Sequence, residues 1–397
     1  MNPHAWIHSQ HDRLLERVID WANVNSGSAN EAGLNLVAEK IQREFQELDP
    51  DSSSLQFLAE AAATRRPLIR LAKRLNIRKK VLFFGHLDTV YGLDHSLQRT
   101  RLLHDGRLNG PGVCDMKGGL AILLCGLTAF ERSVRKKKFG WTILINSDEE
   151  IGSPFSTPFF EQAAQGHEIG FGFEPALRDG SIASSRRGSG NFTLRFHGKA
   201  AHSGRNPGDG VNALVPLARF ILECQELNSR RDSIFINPAI VAGGTAPNVV
   251  PDLASCQVNV RTTGPDDETW ILEELHQFIA AISKNSGYRA ELSGSFTAPP
   301  KMLNPQIQSL IELVQKAGRK IGIAIQARPT GGTCDGNRLA GFGLPNLDNL
   351  GARGDHIHSQ AEFIYPESLV ERAQLLYVLL LELNERLGNG EPGNPEL

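Results

Sequence analysis

The sequence predicts an α/β domain interrupted by a smaller inserted α+β domain. Three observations predict it. The runs VLFF (Val81–Phe84), WTILI (Trp141–Ile145) and IGFGF (Ile169–Phe173) have the length and apolar character of strands buried on both faces of a parallel sheet. Each run ends in polar side chains: His86 and Asp88, then Asp148 to Glu150, then Glu174. From Ser189 the pattern changes to a period of two, as in NFTLRFHGK, which suits a half-exposed strand.

Taken in order, HDRLLERVIDWA (His11–Ala22) sets Leu14, Leu15, Val18, Ile19 and Trp21 at near-helical spacing. NSGSA within Asn23–Ala29 reads as a loop, and Glu31–Leu48 as a second amphipathic helix. SSSLQFLA and PLIRLAKR are strand candidates ahead of VLFFGHLDT. A glycine-rich loop, GPGVCDMKGG, carries Asp115 into an apolar helix, LAILLCGLTAFERSV. WTILINSDEE and IGFGFEP follow as strands, and buried parallel strands direct their carboxyl ends the same way. After Ser189 come a strand, a helix over Gly210–Leu227, the strands SIFINPAIVAGG and SCQVNVRTT, a helix over Glu268–Ser283 and the strand YRAELSGSF. That β-α-β-β-α-β order is ferredoxin-like. The chain then returns through a helix at Pro305–Ile321, the loop PTGGTCDGN, a short strand near LPNLDNLG, the segment ARGDHIHSQAEFI and a helix at Glu367–Leu387. The tail GNGEPGNPEL is expected to be disordered. The boundaries read as residues 1–187 with 299–397 for the discontinuous domain, and 188–298 for the insertion.

A length of 397 residues suits two or three domains, and 40% hydrophobic with 22% charged residues is globular composition. A net charge of −2 argues against nucleic acid or an anionic membrane held by bulk charge. The five scattered cysteines form no C-x-x-C, which fits a reducing compartment and disfavours cysteine-ligated zinc. The first residues lack an apolar signal core, and Leu120–Phe130 is too short to span a bilayer, so a cytoplasmic location is expected.

His86 and Asp88 have the chemistry of a metal-binding imidazole and its orienting acceptor; the plainer reading is a hydrogen-bonded turn. Glu149 and Glu150 are adjacent carboxylates at a buried strand end, where repulsion and desolvation raise pKa unless a cation intervenes; the alternative is a solvated turn. Asp115 is flanked by glycines and also reads as a helix cap. Glu174 ends an apolar run and needs a partner. His356 and His358 would face one side of an extended segment. His202, in GKAAHSG, is a loop histidine that solvent alone could satisfy. No phosphate loop or dinucleotide fingerprint occurs, and no complete nucleophile elbow.

The ordered set GHLDTV, GPGVCDMKGG, NSDEEIGS, GFEPA, GKAAHSG…GVNAL, APNVVPDLASCQVNVR and HSQAEFI resembles the zinc exopeptidases of the carboxypeptidase G, acetylornithine deacetylase, succinyl-diaminopimelate desuccinylase and aminoacylase family. SSRRGSGNFTLRFHGKAAHSG is most similar to its carboxypeptidase G-like branch. The resemblance spans nearly the whole chain. It implies a di-zinc catalytic domain with an inserted lid and dimerisation domain, and hence a homodimer. Two zinc ions, replaceable by cobalt or manganese, would be bridged by Asp115. His86 and Glu174 would complete one, Glu150 and His358 the other. Asp88 would orient His86, Glu149 would be the general base, and the peptide after Asp115 would be cis. His202 would reach the scissile carbonyl, in many relatives across the dimer interface. Asn248 and Arg261 match lid positions for the reaction centre and a substrate carboxylate. Gly332 and Thr333 resemble a second substrate-binding loop, and Arg353 is a further anion candidate.

The chemistry follows from these types. A water between two metals is acidified, Glu149 takes its proton, and Arg261 grips a carboxylate. The expected substrate is a small molecule with an amide next to a free carboxylate: a peptide with a C-terminal glutamate-like residue, or an N-acyl amino acid. A deacylase of the acetylornithine deacetylase kind is the alternative within the class. A catalytically silent binding or regulatory relative is the alternative outside it; no ligand or base is missing, which disfavours it.

Overall fold

The computed structural model describes residues 2–59, 65–284 and 287–389. The chain splits into two compact units, one of Met1–Ser184, Leu303–Thr330 and Cys334–Leu397, the other of Ser185–Met302 and Gly331–Thr333.

The first unit is built on a six-stranded sheet. Its strand order is Ser52–Ala59, Arg65–Lys73, Gly140–Asn146, Lys80–His86, Ile169–Gly172 and Asn346–Leu347. The first two strands are antiparallel additions, and the last four run parallel. Alternation along the apolar runs explains why both faces are covered. Val81 and Phe83 point into one large core, with Ile143, Ile145 and Phe171. Leu82, Phe84 and Leu144 point into a second cluster with Phe160, Leu339 and Leu344. A strand that feeds two cores has no polar face, so VLFF carries no alternation in its sequence.

Register then places the site. His86 pairs with Asn146, while Gly172 pairs with Phe84, so the third strand ends two residues lower and the chain continues past it to Glu174. The helix Gly118–Ser133 lies across the sheet and is buried without a break from Gly118 to Phe130. It packs against the final helix, Glu367–Asn389. The stretch Val113–Ser133 is long and apolar enough to cross a membrane, but its apolar window is entirely buried in the fold. At Gly119 the helix comes so close to the sheet that an added Cβ would lie 1.9 Å from the carbonyl oxygen of Phe173. Only glycine permits that approach, and it holds the helix start beside the strand end that carries Glu174.

The second unit is a four-stranded antiparallel sheet in the order Phe235–Gly243, Leu253–Thr262, Gly188–His197, Arg289–Ala298. The helices Leu214–Arg230 and Pro265–Ser283 complete the β-α-β-β-α-β order. Phe192, Leu194 and Phe196 alternate inward to meet Phe220, Cys224, Ile271 and Leu275. The helix expected from Gly210 begins at Leu214 instead, because Val211 is paired in a bridge with Lys199 and the Asn212 side chain accepts the Leu214 N–H. The last helix runs two residues past Leu387, to Asn389. The rest of the expected disordered tail, residues 390–397, lies outside the described residues.

Candidate metal centre

The Lys80–His86 strand delivers His86 fully buried, at 1% exposure. Its Nδ1 lies 3.1 Å from the Asp88 carbonyl oxygen and 3.4 Å from Asp88 Oδ1. A proton on Nδ1 therefore has acceptors, which leaves Nε2 to face Asp115 Oδ1 at 3.0 Å and Glu174 Oε1 at 3.9 Å. Asp88 does more than orient the ring. Its carboxylate accepts the backbone N–H groups of Glu149 and Glu150 at 3.3 and 3.2 Å, and the Ser28 hydroxyl at 2.9 Å. The strand end and the Glu149–Ile151 turn are thus tied through one buried acid.

Asp115 sits in the turn Val113–Lys117, where non-helical dihedrals at Asp115 and Met116 interrupt the helix, and the Asp115–Met116 peptide is cis. Its second oxygen, Oδ2, lies 3.3 Å from His358 Nε2, which is also 3.3 Å from Glu150 Oε2. One carboxylate thus divides two sets of groups. His86 and Glu174 lie on the Oδ1 side, His358 and Glu150 on the Oδ2 side. Asp148, the third acid of the NSDEE run, turns away to accept the N–H groups of Phe155 and Ser156.

The electrostatics reflect the crowding. Burial, then the charges of Glu174, Asp335 and Glu150, push the Glu149 carboxyl well above its usual range. Burial and Asp115 raise Glu150, against the opposing His358 hydrogen bond. Burial works against protonation of His86, but its bonds to Asp115 and Asp88 and the charge of Glu174 outweigh this and hold its pKa well above normal. Hydrogen bonds to Asp115 and Glu150 raise His358 to about 10. Burial alone would raise Asp115; the two histidines hold it well below the usual carboxylate range.

The donor set fits divalent metal. It is made of imidazole nitrogen and carboxylate oxygen, and donor atoms of His86, Asp115 and Glu150 all lie within 4.8 Å of one another. Zinc bonds of about 2.0–2.1 Å give a tetrahedral ligand–ligand edge of roughly 3.4 Å. The four distances around Asp115, 3.0 to 3.9 Å, straddle that edge. A cation also removes the repulsion that otherwise protonates the acids.

Residues 82–382 match the model of peptidase family M20/M25/M40. The chain belongs to this family. It is 26% identical over 314 residues to carboxypeptidase G2 of a Pseudomonas species, covering 77% of this chain and 74% of that one. It is 26% identical over 368 residues to succinyl-diaminopimelate desuccinylase of a Nitratiruptor species, covering 85% and 96%. A solved structure with a similar fold is the YXEP protein of Bacillus subtilis, described as a dinuclear metal binding peptidase, with a TM-score of 0.69 at 17% identity over 95% of this chain and 99% of that one. This M20/M25/M40 member is a metallohydrolase with a mixed α/β fold.

His86, Asp88, Asp115, Glu149, Glu150, Glu174 and His358 come together in the first unit. His202, Asn248, Arg261, Gly332 and Thr333 belong to the second. There, His202 is exposed on a two-strand ladder with Val249, next to Asn248. Its Nδ1 accepts the N–H groups of Gly204 and Arg205, so Nε2 carries the proton and presents a donor. Arg261 donates from Nε to Asn259, while its Nη1 is buried with no acceptor among the described residues. The carbonyl of Gly332 accepts from Arg186.

Two expectations are corrected. His356 and His358 do not share a face, because both have left-handed backbone dihedrals (φ 57° and 61°) and the segment turns instead of extending. His356 lies against the Phe363 ring. Arg353 is not a free anion ligand: it pairs with Glu371 at 2.8 Å and lies over Tyr365. Sequence reasoning missed Glu362, Lys117 and Asp335, all buried near the centre. An acid four residues past His358 in HSQAEF was the available signal for the first.

Asp115→Asn is expected to lower bound divalent metal from two ions per chain to below one, and Glu174→Ala to leave one. Metal analysis of dialysed, folded protein checks this; wild-type content in Asp115→Asn would remove Asp115 from the ligand set.

Proposed function

We propose that this metallohydrolase cleaves an amide bond beside a free carboxylate, as a carboxypeptidase for C-terminal glutamate-like residues or an N-acyl amino acid hydrolase. The observation that carries the reading is the two-sided Asp115 carboxylate, with a histidine and a glutamate on each side and Glu149 alongside. Zinc is the metal proposed, with His86, Glu174 and Asp115 holding one ion and Asp115, Glu150 and His358 the other. When bound, the pair supplies Lewis acidity and an acidified water.

The rest is done by the chain's own groups. Among the described residues no hydrogen bond ties the Glu149 carboxylate, while its backbone N–H is anchored on Asp88. An anchored main chain with an untied carboxylate suits a group that takes a proton and returns it to the leaving nitrogen. His202 offers an Nε2–H donor of the kind that stabilises a developing oxyanion. Arg261 holds a buried guanidinium nitrogen without an acceptor among the described residues, a charge suited to an anion from outside the chain. The likenesses to a carboxypeptidase and to a desuccinylase support both substrate readings.

A homodimer through the second unit belongs to the same proposal. The strand Phe235–Gly243 is an edge of its sheet, with Ile240 and Val241 57% and 56% exposed. The Leu214–Arg230 helix, which meets the end of that strand where Gly243 approaches Leu214, adds Val215 and Leu222, 41% and 62% exposed. An unpaired, apolar edge is suited to pairing with its own copy across a two-fold axis. All five cysteines are buried and unpaired, which supports a cytoplasmic location.

A panel of N-acyl amino acids and dipeptides, assayed with added zinc, separates the two substrate readings. Matched substrates with the carboxylate amidated are expected to be poor, and equal rates for acid and amide would overturn the reading. Arg261→Ala is expected to raise KM for the acids about 10- to 100-fold, the loss of a charge-assisted hydrogen bond of about 1.5–3 kcal/mol, and to leave the amides unchanged. Glu149→Gln is expected to keep its metal and lose about 10²- to 10⁴-fold in kcat; a wild-type rate would exclude Glu149 as the base. Ile240→Lys is expected to give a folded monomer by light scattering, and an unchanged mass would move the interface elsewhere.

A further inference from the structure

Glu362 lies four residues beyond His358 and is fully buried, at 0% exposure. Its Oε1 accepts the backbone N–H groups of Cys114 and Asp115 at 2.8 and 3.1 Å. Its Oε2 accepts the N–H of Gly112 at 3.2 Å and the Tyr91 hydroxyl at 2.6 Å. Its own carbonyl accepts from Asn109 Nδ2 and Gly110 N. Three chain segments therefore meet on one side chain: the stretch after His86 and Asp88, the loop that carries Asp115, and the segment that carries His358.

The local backbone explains the arrangement. Gly112 is left-handed (φ 68°), which turns the N–H groups of the following residues inward to form a concave cradle for an anion. The chain fills that cradle with its own carboxylate. Without it, three buried N–H groups would each lose a partner. Four donors need an acceptor with lone pairs on both oxygens, which glutamate has and glutamine lacks. The electrostatic cost of another acid is high here, since burial and the charge of Asp115 both disfavour its ionised form. Lys117 Nζ, also buried, feels the charges of Glu362, Asp88, Glu150 and Asp115 and offsets part of that cost.

We infer that Glu362 is a positioning residue: by holding the N–H groups of Gly112, Cys114 and Asp115 it fixes the loop so that Asp115 presents one oxygen to His86 and the other to His358. Because both metal positions depend on Asp115, a shift of this loop weakens both. Ligand geometry tolerates only about 0.5 Å. This inference rests on the reading of Asp115 as a ligand.

The test is zinc affinity, measured by competition with a chromophoric chelator on metal-stripped protein whose fold is checked by circular dichroism. In Glu362→Gln the amide is expected to face Tyr91, whose hydroxyl can turn to accept, so the Gly112 bond is lost and zinc affinity falls about 10- to 100-fold. Glu362→Asp retains the charge and shortens the reach, and is expected to fall at least as far. Tyr91→Phe removes a partner outside the loop and is expected to lower the melting temperature while leaving zinc affinity within about two-fold of wild type. A purely structural Glu362 would give three variants of lower melting temperature and unchanged affinity, and that result overturns the inference. Failure of both Glu362 variants to fold also overturns it, by assigning the residue to stability. Asp115→Asn run in parallel separates the two readings: zinc retained there sinks the ligand assignment, whereas zinc lost there and retained in both Glu362 variants sinks the positioning role alone.

Discussion

Negative charge confined at the end of a parallel sheet is the constraint on which the rest of this structure depends. Like carboxylates a few ångströms apart in a buried place cannot all stay ionised unless something positive joins them. Here Glu149, Glu150 and Glu174 meet Asp115 because His86 and Asn146 end paired strands at one level and the neighbouring strand, whose Gly172 pairs with Phe84, runs on two residues to Glu174. That level is set by two hydrophobic cores gripping alternate residues of VLFF and WTILI. The apolar residues of these runs, far from any chemistry, fix where the acids stand.

Much of this was legible in the sequence, for a physical reason. A strand buried on both faces has no alternation, so a polar residue at its end stands out; His86, Glu150 and Glu174 were visible on that ground. The ferredoxin-like order was legible because its strands are half-exposed and alternate, as the inward Phe192, Leu194 and Phe196 do. What could not be read was backbone direction in turns. HIHSQ looks extended, but left-handed dihedrals at both histidines send His356 to Phe363 and His358 to Asp115. Nor could partners be read. Arg261 and Arg353 are alike as letters, and only the structure pairs Arg353 with Glu371 and leaves a nitrogen of Arg261 without an acceptor among the described residues.

Acids that orient other groups were the hardest to see. Asp88, Asp148 and Glu362 each spend their oxygens on backbone N–H groups of turns. Each was a plausible ligand, cap or surface acid from its neighbours alone. A carboxylate is well suited to the work because it accepts on both oxygens and donates on neither. A loop with several N–H groups turned inward is completed by one such side chain, whereas a neutral amide would leave part of it unmet.

The charge this solution brings has a consequence for the chemistry. Asp88, Asp115, Glu149, Glu150, Glu174, Asp335 and Glu362 stand at or beside the centre, and the buried Lys117 feels the charges of four of them. With the histidines neutral, as ligation requires, negative charge dominates there, and divalent ions would offset much of it. In the proposed ligand set, Glu149 alone among these acids is both unneeded as a ligand and untied by hydrogen bonds among the described residues. A group in that position can accept a proton without breaking any bond that holds the centre together, which is what the proposed role of Glu149 requires. Bound cations would restrain its basicity, so that it could release the proton again to a leaving amine. The same surplus of acids that makes the centre electrostatically costly by itself thus suits the proposed reading of Glu149 as the group that exchanges a proton.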